Sequence, residues 1–178
     1  VFSKDYIHPL FKPFFYLILK FIEDYSSRKF DFIITVTHNI NERFKKNNFN
    51  SIIINNYPIA SELYNKSEWK TKQNQIIYAG VISKKRGVIE VIKALNLIES
   101  CLNLAGLFDG KGLLEIVKKE MGWKKVNYLG LIDRKKLKKI MEKSKIGIVT
   151  YHRAPNHVNS QPNKIFEYMS AGIPVISS

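Results

Sequence analysis

Residues 75–108 read QIIYAGVISKKRGVIEVIKALNLIESCLNLAGLF. The opening IIYAG at 76–80 is a short apolar run ending in glycine, which suits a strand buried on both faces. Residues 87–98 then place Val88, Val91, Ile92, Leu95 and Ile98 at helical spacing, and LNLAGLF at 102–108 returns to a strand. A helix between two such strands is one βαβ unit, and its crossover forces the strands to lie parallel.

The same alternation continues outward from this unit. Helix 112–121, strand 126–130, helix 133–144, strand 146–150, helix 163–171 and strand 174–177 follow it. Before it come an aromatic, basic helix at 7–29, a strand at 31–37, a helix at 39–46 and a strand at 51–55. The stretch up to residue 75 is polar and lacks a sustained apolar period, so it reads as a linker or crossover. An α/β fold is predicted. Residues 1–57 form the carboxyl-terminal part of one Rossmann-like domain, 58–75 a linker, and 76–178 a second Rossmann-like domain, truncated at its carboxyl end. The chain opens on Val1 and stops at Ser178 within an apolar run, and is read as a piece of a longer protein.

Charge narrows the partners. The 29 basic residues against 15 acidic ones give a net +14, a field suited to phosphorylated substrates, anionic lipid or nucleic acid. The single cysteine, Cys101, excludes an internal disulfide and points to a reducing cytoplasm. PFFYLIL at 13–19 is cut by Lys20 and is too short to span a bilayer. The surrounding YIHPLFKPFFYLILKFIE, 6–23, mixes aromatics with lysines and suits either a membrane interface or burial within its own domain.

In a parallel sheet, ligands bind at the carboxyl ends of the strands, which selects 79–87, 108–113, 130–134 and 150–168. Lys84, Lys85 and Arg86 fall in a strand-to-helix turn, where the helix dipole disfavours cations unless an anion joins them. From Gly106 the spacing is GxxxGKG, one residue short of a phosphate-binding loop and without its magnesium-holding hydroxyl, so a nucleotide triphosphatase is excluded. No GxGxxG follows the strand at 76–80, which weakens a nicotinamide dinucleotide reading. The basic helix DRKKLKKIMEKSK, 133–145, reads as a solvated face over an inner row of Leu137, Ile140, Met141 and Ser144. The four histidines lack metal-ligand spacing and DxD is absent, so no metal and no cofactor are expected; His152, Arg153 and His157 stand as surface residues or ligand contacts.

The last segment is QPNKIFEYMSAGIPVISS, 161–178, and its Glu167 is the only carboxylate in the final 36 residues. Pro162 suits the first helical position, Gly172 a left-handed cap, and Ile165, Phe166 and Met169 a buried face. Lys164 and Glu167, three apart, share another side. As a plain surface pair they are worth about 0.2–0.5 kcal/mol. Lys164, however, stands in a first turn at the ligand-binding edge.

FDFIITVT, NNYP, YAGVISKKRG, VNYLGLIDRKKL and PNKIFEYMSAGIPVIS together resemble the retaining glycosyltransferases of family 4. The resemblance implies a GT-B fold of two facing Rossmann-like domains and transfer of a sugar from a nucleotide diphosphate sugar to an acceptor hydroxyl. Retention of configuration, a metal-independent reaction and a role in cell-surface polysaccharide synthesis go with it. It implies no cofactor beyond the UDP- or GDP-linked donor itself, and a sugar or lipid-linked acceptor. In the family's glycine turn, which includes Gly80, Val81 takes the place of an arginine and Arg86 that of a lysine. The diphosphate clamp then rests on Arg86 with Lys84, Lys85 or Lys164. Glu167 matches the second glutamate of the E-x7-E motif, the ribose ligand. Asn159 stands where the first glutamate approaches the donor sugar; an amide can hydrogen-bond there but supplies no negative charge. The backbone around Gly130 and Leu131 matches the wall of the base site. The fragment alone is expected to bind nucleotide without turnover, in the cytoplasm or at the inner membrane face. A GT-B nucleotide-sugar epimerase and a basic nucleic-acid-binding module are the alternatives. The first requires extra acid-base carboxylates and the second stacking platforms among its basic residues; nucleic acid is not the expected partner.

Overall fold

The computed structural model describes residues 8–64, 68–154, 157–158 and 160–178. It divides into two compact units, Val1–Asn56 with Ala154–Gln161, and Tyr57–Arg153 with Pro162–Ser178.

In the first unit, helix α1 (Lys12–Ser27) precedes strand β1 (Ile33–Thr35), helix α2 (His38–Lys45) and strand β2 (Ser51–Ile53). The two strands pair in parallel. Thr37 begins α2, its hydroxyl accepting from Ile40 N–H. Asn41 of α2 is buried, and its Oδ1 accepts from Thr35 Oγ1 at 3.2 Å and Ser51 Oγ at 2.6 Å, tying the helix to both strands. The apolar residues of α1 are exposed all along it, Phe14, Leu17, Phe21 and Tyr25 among them, and only Ser27 is buried.

The second unit begins with a short helix, α3 (Ala60–Leu63), inside the stretch that the sequence presents as a featureless linker. Leu63 is completely buried in the core, and a helix of four residues is too short to show a period that would reveal it. There follow β3 (Gln75–Ala79), β4 (Ile82–Ser83), α4 (Val88–Ala94), β5 (Cys101–Ala105), β6 (Phe108–Asp109) and α5 (Leu113–Lys118). β7 (Val126–Gly130), α6 (Arg134–Lys143), β8 (Ile146–Val149), α7 (Asn163–Ser170) and β9 (Val175–Ser177) complete it. The α/β class with parallel sheets is as expected: five parallel strands lie in the order β7-β5-β3-β8-β9. The chain winds from β3 outward through β5 to β7, then returns to β8 on the other side of β3. The topological switch point thus lies between β3 and β8.

Alternation along β3 builds both cores. Ile76 and Tyr78 face a cluster with Val88, Ile92, Leu95, Leu104 and Val117, whereas Ile77 and Ala79 face Leu63, Leu137, Met141 and Tyr168. Ile98, grouped with the α4 face by spacing, lies beyond the helix and is exposed. Cys101 is exposed as well. The expected strand 102–108 stops at Ala105 because the chain bends at Gly106 (φ 143°), where a Cβ would lie 1.8 Å from the Gly80 carbonyl oxygen. Beyond this crossing, β4 and β6 pair as a separate two-stranded ribbon.

Helix α6 follows its sequence pattern. Asp133 caps it by accepting from Lys136 N–H at 2.7 Å, with Leu137, Met141 and Ser144 buried beneath. Helix α7 departs from its pattern. Pro162 is the capping residue rather than the first helical one; Ile165 packs against the core as expected, but the buried residues are Glu167, Tyr168 and Ala171, while Met169 is 62% exposed. The reason is Gly147 on β8, which leaves room for a flat ring: a Cβ there would come within 2.4 Å of Tyr168 Cδ2. The helix ends as expected on Gly172 (φ 66°), with Ile173 N–H bonding Tyr168 C=O and Gly172 N–H bonding Met169 C=O.

Gly147→Ala is expected to destabilise the protein by roughly 1–3 kcal/mol through overpacking against this ring. Denaturant unfolding checks it, and an unchanged midpoint would show that α7 shifts away freely.

Candidate functional site

The carboxyl ends of β3 and β8 gather most of the residues singled out by sequence. β3 runs into Gly80 (φ 142°), and the phenol of Tyr78 donates to Val81 C=O at 3.1 Å, fixing the bend. Burial pushes the Tyr78 phenol pKa up, so it remains a donor. Lys84–Arg86 form one 3-10 turn closed by Gly87. From that turn Arg86 folds back over the bend: a Cβ on Gly80 would meet Arg86 Nη1 at 3.3 Å and Lys164 Cε at 3.9 Å. Two cations from segments almost 80 residues apart therefore converge on one glycine.

The loop after β8 holds Arg86 in place. Thr150 Oγ1 donates to Arg86 C=O at 2.9 Å, and the Tyr151 ring lies under the guanidinium, 5.5 Å from centroid to Cζ. His152 N–H donates to Lys85 C=O at 2.9 Å, and its Nε2 lies 3.3 Å from Glu90 Oε2. Lys84, Lys85, His152 and Arg153 are exposed, and His157 belongs to the other unit. Asn159 lies outside the described residues.

Glu167 is the buried acid of this edge, its side chain only 10% exposed. Its Oε2 accepts from Lys164 Nζ at 2.5 Å and its Oε1 from Arg134 Nη1 at 3.0 Å. Arg134 also donates through Nη2 to Glu62 of α3 at 2.7 Å. The two hydrogen bonds, to Glu62 first and Glu167 second, raise the Arg134 pKa above its ordinary value. So the Lys164–Glu167 pair is not a surface pair but half of a four-residue network. Sequence reading missed Arg134 and Glu62. A signal for Arg134 was present, since it stands in the first turn of α6, where the dipole disfavours a cation just as it does at Lys164.

A cleft of about 290 Å³ opens beside this network. The backbone bends at Gly80 and Gly106 form its floor, Val81, Leu107 and Leu131 are apolar walls, and Arg134 and Lys164 supply its charge. Leu131 is 77% exposed. Gly130 ends β7, and its carbonyl already accepts from Gly106 N–H at 2.8 Å. Among the described residues no group of three or more His, Cys, Asp or Glu side chains is placed to hold a metal.

Glycosyl transferases group 1 is the family that matches, over residues 60–178. The chain belongs to this family. No curated protein matches it by sequence. Among solved structures, Anabaena HepE in complex with UDP and glucose is 14% identical, with a TM-score of 0.65 over 88% of this chain and 47% of that one. An S. aureus TarM mutant in complex with Fondaparinux, alpha-GlcNAc-glycerol and UDP is 16% identical, with a TM-score of 0.65 over 89% of this chain and 32% of that one. Sucrose-phosphate synthase from Thermosynechococcus elongatus is 15% identical, with a TM-score of 0.62 over 88% and 43%. The chain thus spans less than half the length of each of these structures. The fold class of this group 1 chain is α/β of the GT-B type with Rossmann-like sheets, as expected.

The seat of α7 is set by Tyr168, which accepts Ala79 N–H at 2.9 Å just past the point where β8 stops pairing with β3. Burial drives its phenol pKa upward. Tyr168→Phe leaves that amide unpaired and is expected to cost roughly 1–3 kcal/mol. Thermal unfolding measures it, and no loss would mean that Ala79 finds another acceptor.

Proposed function

We propose that the chain is the nucleotide-sugar-binding part of a family 4 glycosyltransferase, which transfers a sugar to an acceptor hydroxyl with retention and without a metal. The observation that carries this reading is the convergence of Arg86 and Lys164 on Gly80, beside the buried Glu167, at the switch point of the sheet. Arg86 and Lys164, with Lys85 on the same turn, neutralise the diphosphate of the donor. Developing charge on a departing nucleoside diphosphate is what preorganised cations stabilise best, since they need no reorganisation at the moment of reaction. Glu167 accepts hydrogen bonds from the ribose hydroxyls, a task for a carboxylate with two oxygens. The backbone at Gly130 and Leu131 faces the base; the sugar-facing role that the resemblance implies for Asn159 falls on a residue outside the described ones. Solved neighbours in complex with UDP and with UDP-glucose support a nucleotide sugar as donor.

Cell-surface glycan or polysaccharide synthesis fits a structural neighbour, WaaG, described as involved in lipopolysaccharide biosynthesis. A lipid-linked acceptor would bring the protein to the inner face of a membrane. Among the described residues no helix is long and apolar enough to cross one. The exposed aromatics of α1, with Lys12 and Lys20 among them, suit peripheral contact with an anionic surface instead. Tyr6 and Ile7, which precede this helix, lie outside the described residues. Pelleting with liposomes of anionic and neutral lipid is expected to show binding to the anionic ones alone, weakened by salt; absence of salt-sensitive binding overturns the membrane contact.

Because the chain spans less than half of its solved neighbours, binding rather than turnover is the proper readout. Titration with UDP and GDP is expected to show binding of one or both, reduced by about tenfold or more in Arg86→Ala and in Glu167→Ala, as for loss of a charge-assisted contact. If neither nucleotide binds, or both variants bind like the parent, the donor-site assignment is wrong.

A further inference from the structure

Glu167 presents a conflict that the donor-site reading does not resolve. Both of its oxygens are engaged before any ligand arrives, Oε1 by Arg134 and Oε2 by Lys164. Lys164 is also one of the two cations that close on Gly80, so it is drawn toward two places at once. Moving it to a phosphate would remove a counter-ion from a carboxylate that is only 10% exposed, and an unpaired charge at that depth is strongly unfavourable.

The planar fork of Arg134 removes the conflict. One Nη holds Glu167 and the other holds Glu62, so the guanidinium is fixed from both sides and cannot follow Lys164. The backbone that carries Glu62 is anchored, since the next residue, Leu63, is fully buried, and its half-exposed carboxylate reaches Arg134 from there. The four side chains carry two positive and two negative charges. When Lys164 leaves, Arg134 still neutralises Glu167 at Oε1, and Oε2 becomes available to hydroxyl donors.

We propose that Arg134 is a positioning residue that keeps Glu167 ionised and aimed while Lys164 exchanges from Glu167 to the donor diphosphate. The proposal rests on the donor-site reading above, and deepens it by assigning the two cations different tasks: a fixed partner and an exchangeable one. It also gives α3, a segment remote from the sheet in sequence, a part in nucleotide binding through Glu62.

A double-mutant cycle on the full chain tests this, with UDP or GDP, whichever the parent binds, as the probe. Arg134→Ala alone is expected to weaken binding by about tenfold, because Glu167, whose side chain is only 10% exposed, is left without its second counter-ion once Lys164 moves to the diphosphate. In a Glu167→Gln background the same change is expected to cost less than about twofold, because a neutral amide needs no counter-ion. Arg134→Lys is expected to recover only part of the loss, since a point charge cannot bridge two carboxylates. Glu62→Gln should weaken binding to a smaller extent than Arg134→Ala, with the fold retained as judged by circular dichroism. Equal losses from Arg134→Ala in both backgrounds would mean that Arg134 touches the nucleotide directly or acts on stability, and would overturn the proposal. No loss in either background would overturn it as well, leaving the donor site intact if Glu167→Gln still weakens binding. If Glu167→Gln itself binds like the parent, the ribose assignment fails and this proposal fails with it.

Discussion

The Tyr168 ring packed flat on Gly147 fixes the geometry on which the rest of the carboxyl edge depends. Gly147 removes a side chain from β8 where it leaves β3, and the ring fills that space with its hydroxyl bonded to Ala79. Helix α7 can sit in only one rotation about its axis as a result. That rotation buries Glu167, brings Lys164 over Gly80 and turns Met169 outward. The Schellman closure on Gly172 then sends the chain straight back into β9. Packing between an aromatic ring and a glycine thus decides where a carboxylate and an ammonium stand.

A second constraint acts on the other side of the switch point. Gly80 and Gly106 cross so closely that no side chain fits between them, and the cleft exists because both strands bend away there. The floor of the cleft is therefore backbone, and its charge comes from Arg134 of α6 and Lys164 of α7. Cations placed in first turns or beside helix starts are costly in the unliganded protein. Pairing with Glu62 and Glu167 offsets that cost for Arg134 and Lys164, while Arg86 rests on the Tyr151 ring. A bound diphosphate would take over part of this compensation.

Much of this arrangement was legible in the sequence. The βαβ rhythm after residue 75, the cap at Gly172, and the placing of Arg86, Lys164 and Glu167 at strand ends follow from local pattern and the rule for parallel sheets. The face of α7 was not legible, because periodicity favours the larger apolar residues and cannot see that Gly147, twenty-one residues earlier, makes room for Tyr168. The α3 turn was invisible for a related reason: it is a single four-residue turn, too short to set up a helical period, and only the tertiary core shows that Leu63 is buried. The Glu62–Arg134–Glu167 link joins three distant segments. Sequence marked one member, Glu167, while the unfavourable position of Arg134 in a helix start hinted at a second.

The central claim is that Lys164 and Arg134 divide their work on Glu167, one exchangeable and one fixed. A crystal structure of the chain with UDP or GDP bound tests it most directly. The account predicts a Lys164 ammonium on the diphosphate, ribose hydroxyls on Glu167, and the Arg134 bridge to Glu62 and Glu167 unbroken. A nucleotide bound elsewhere, or one bound in the cleft with Lys164 still on Glu167 and the ribose away from that carboxylate, would contradict it.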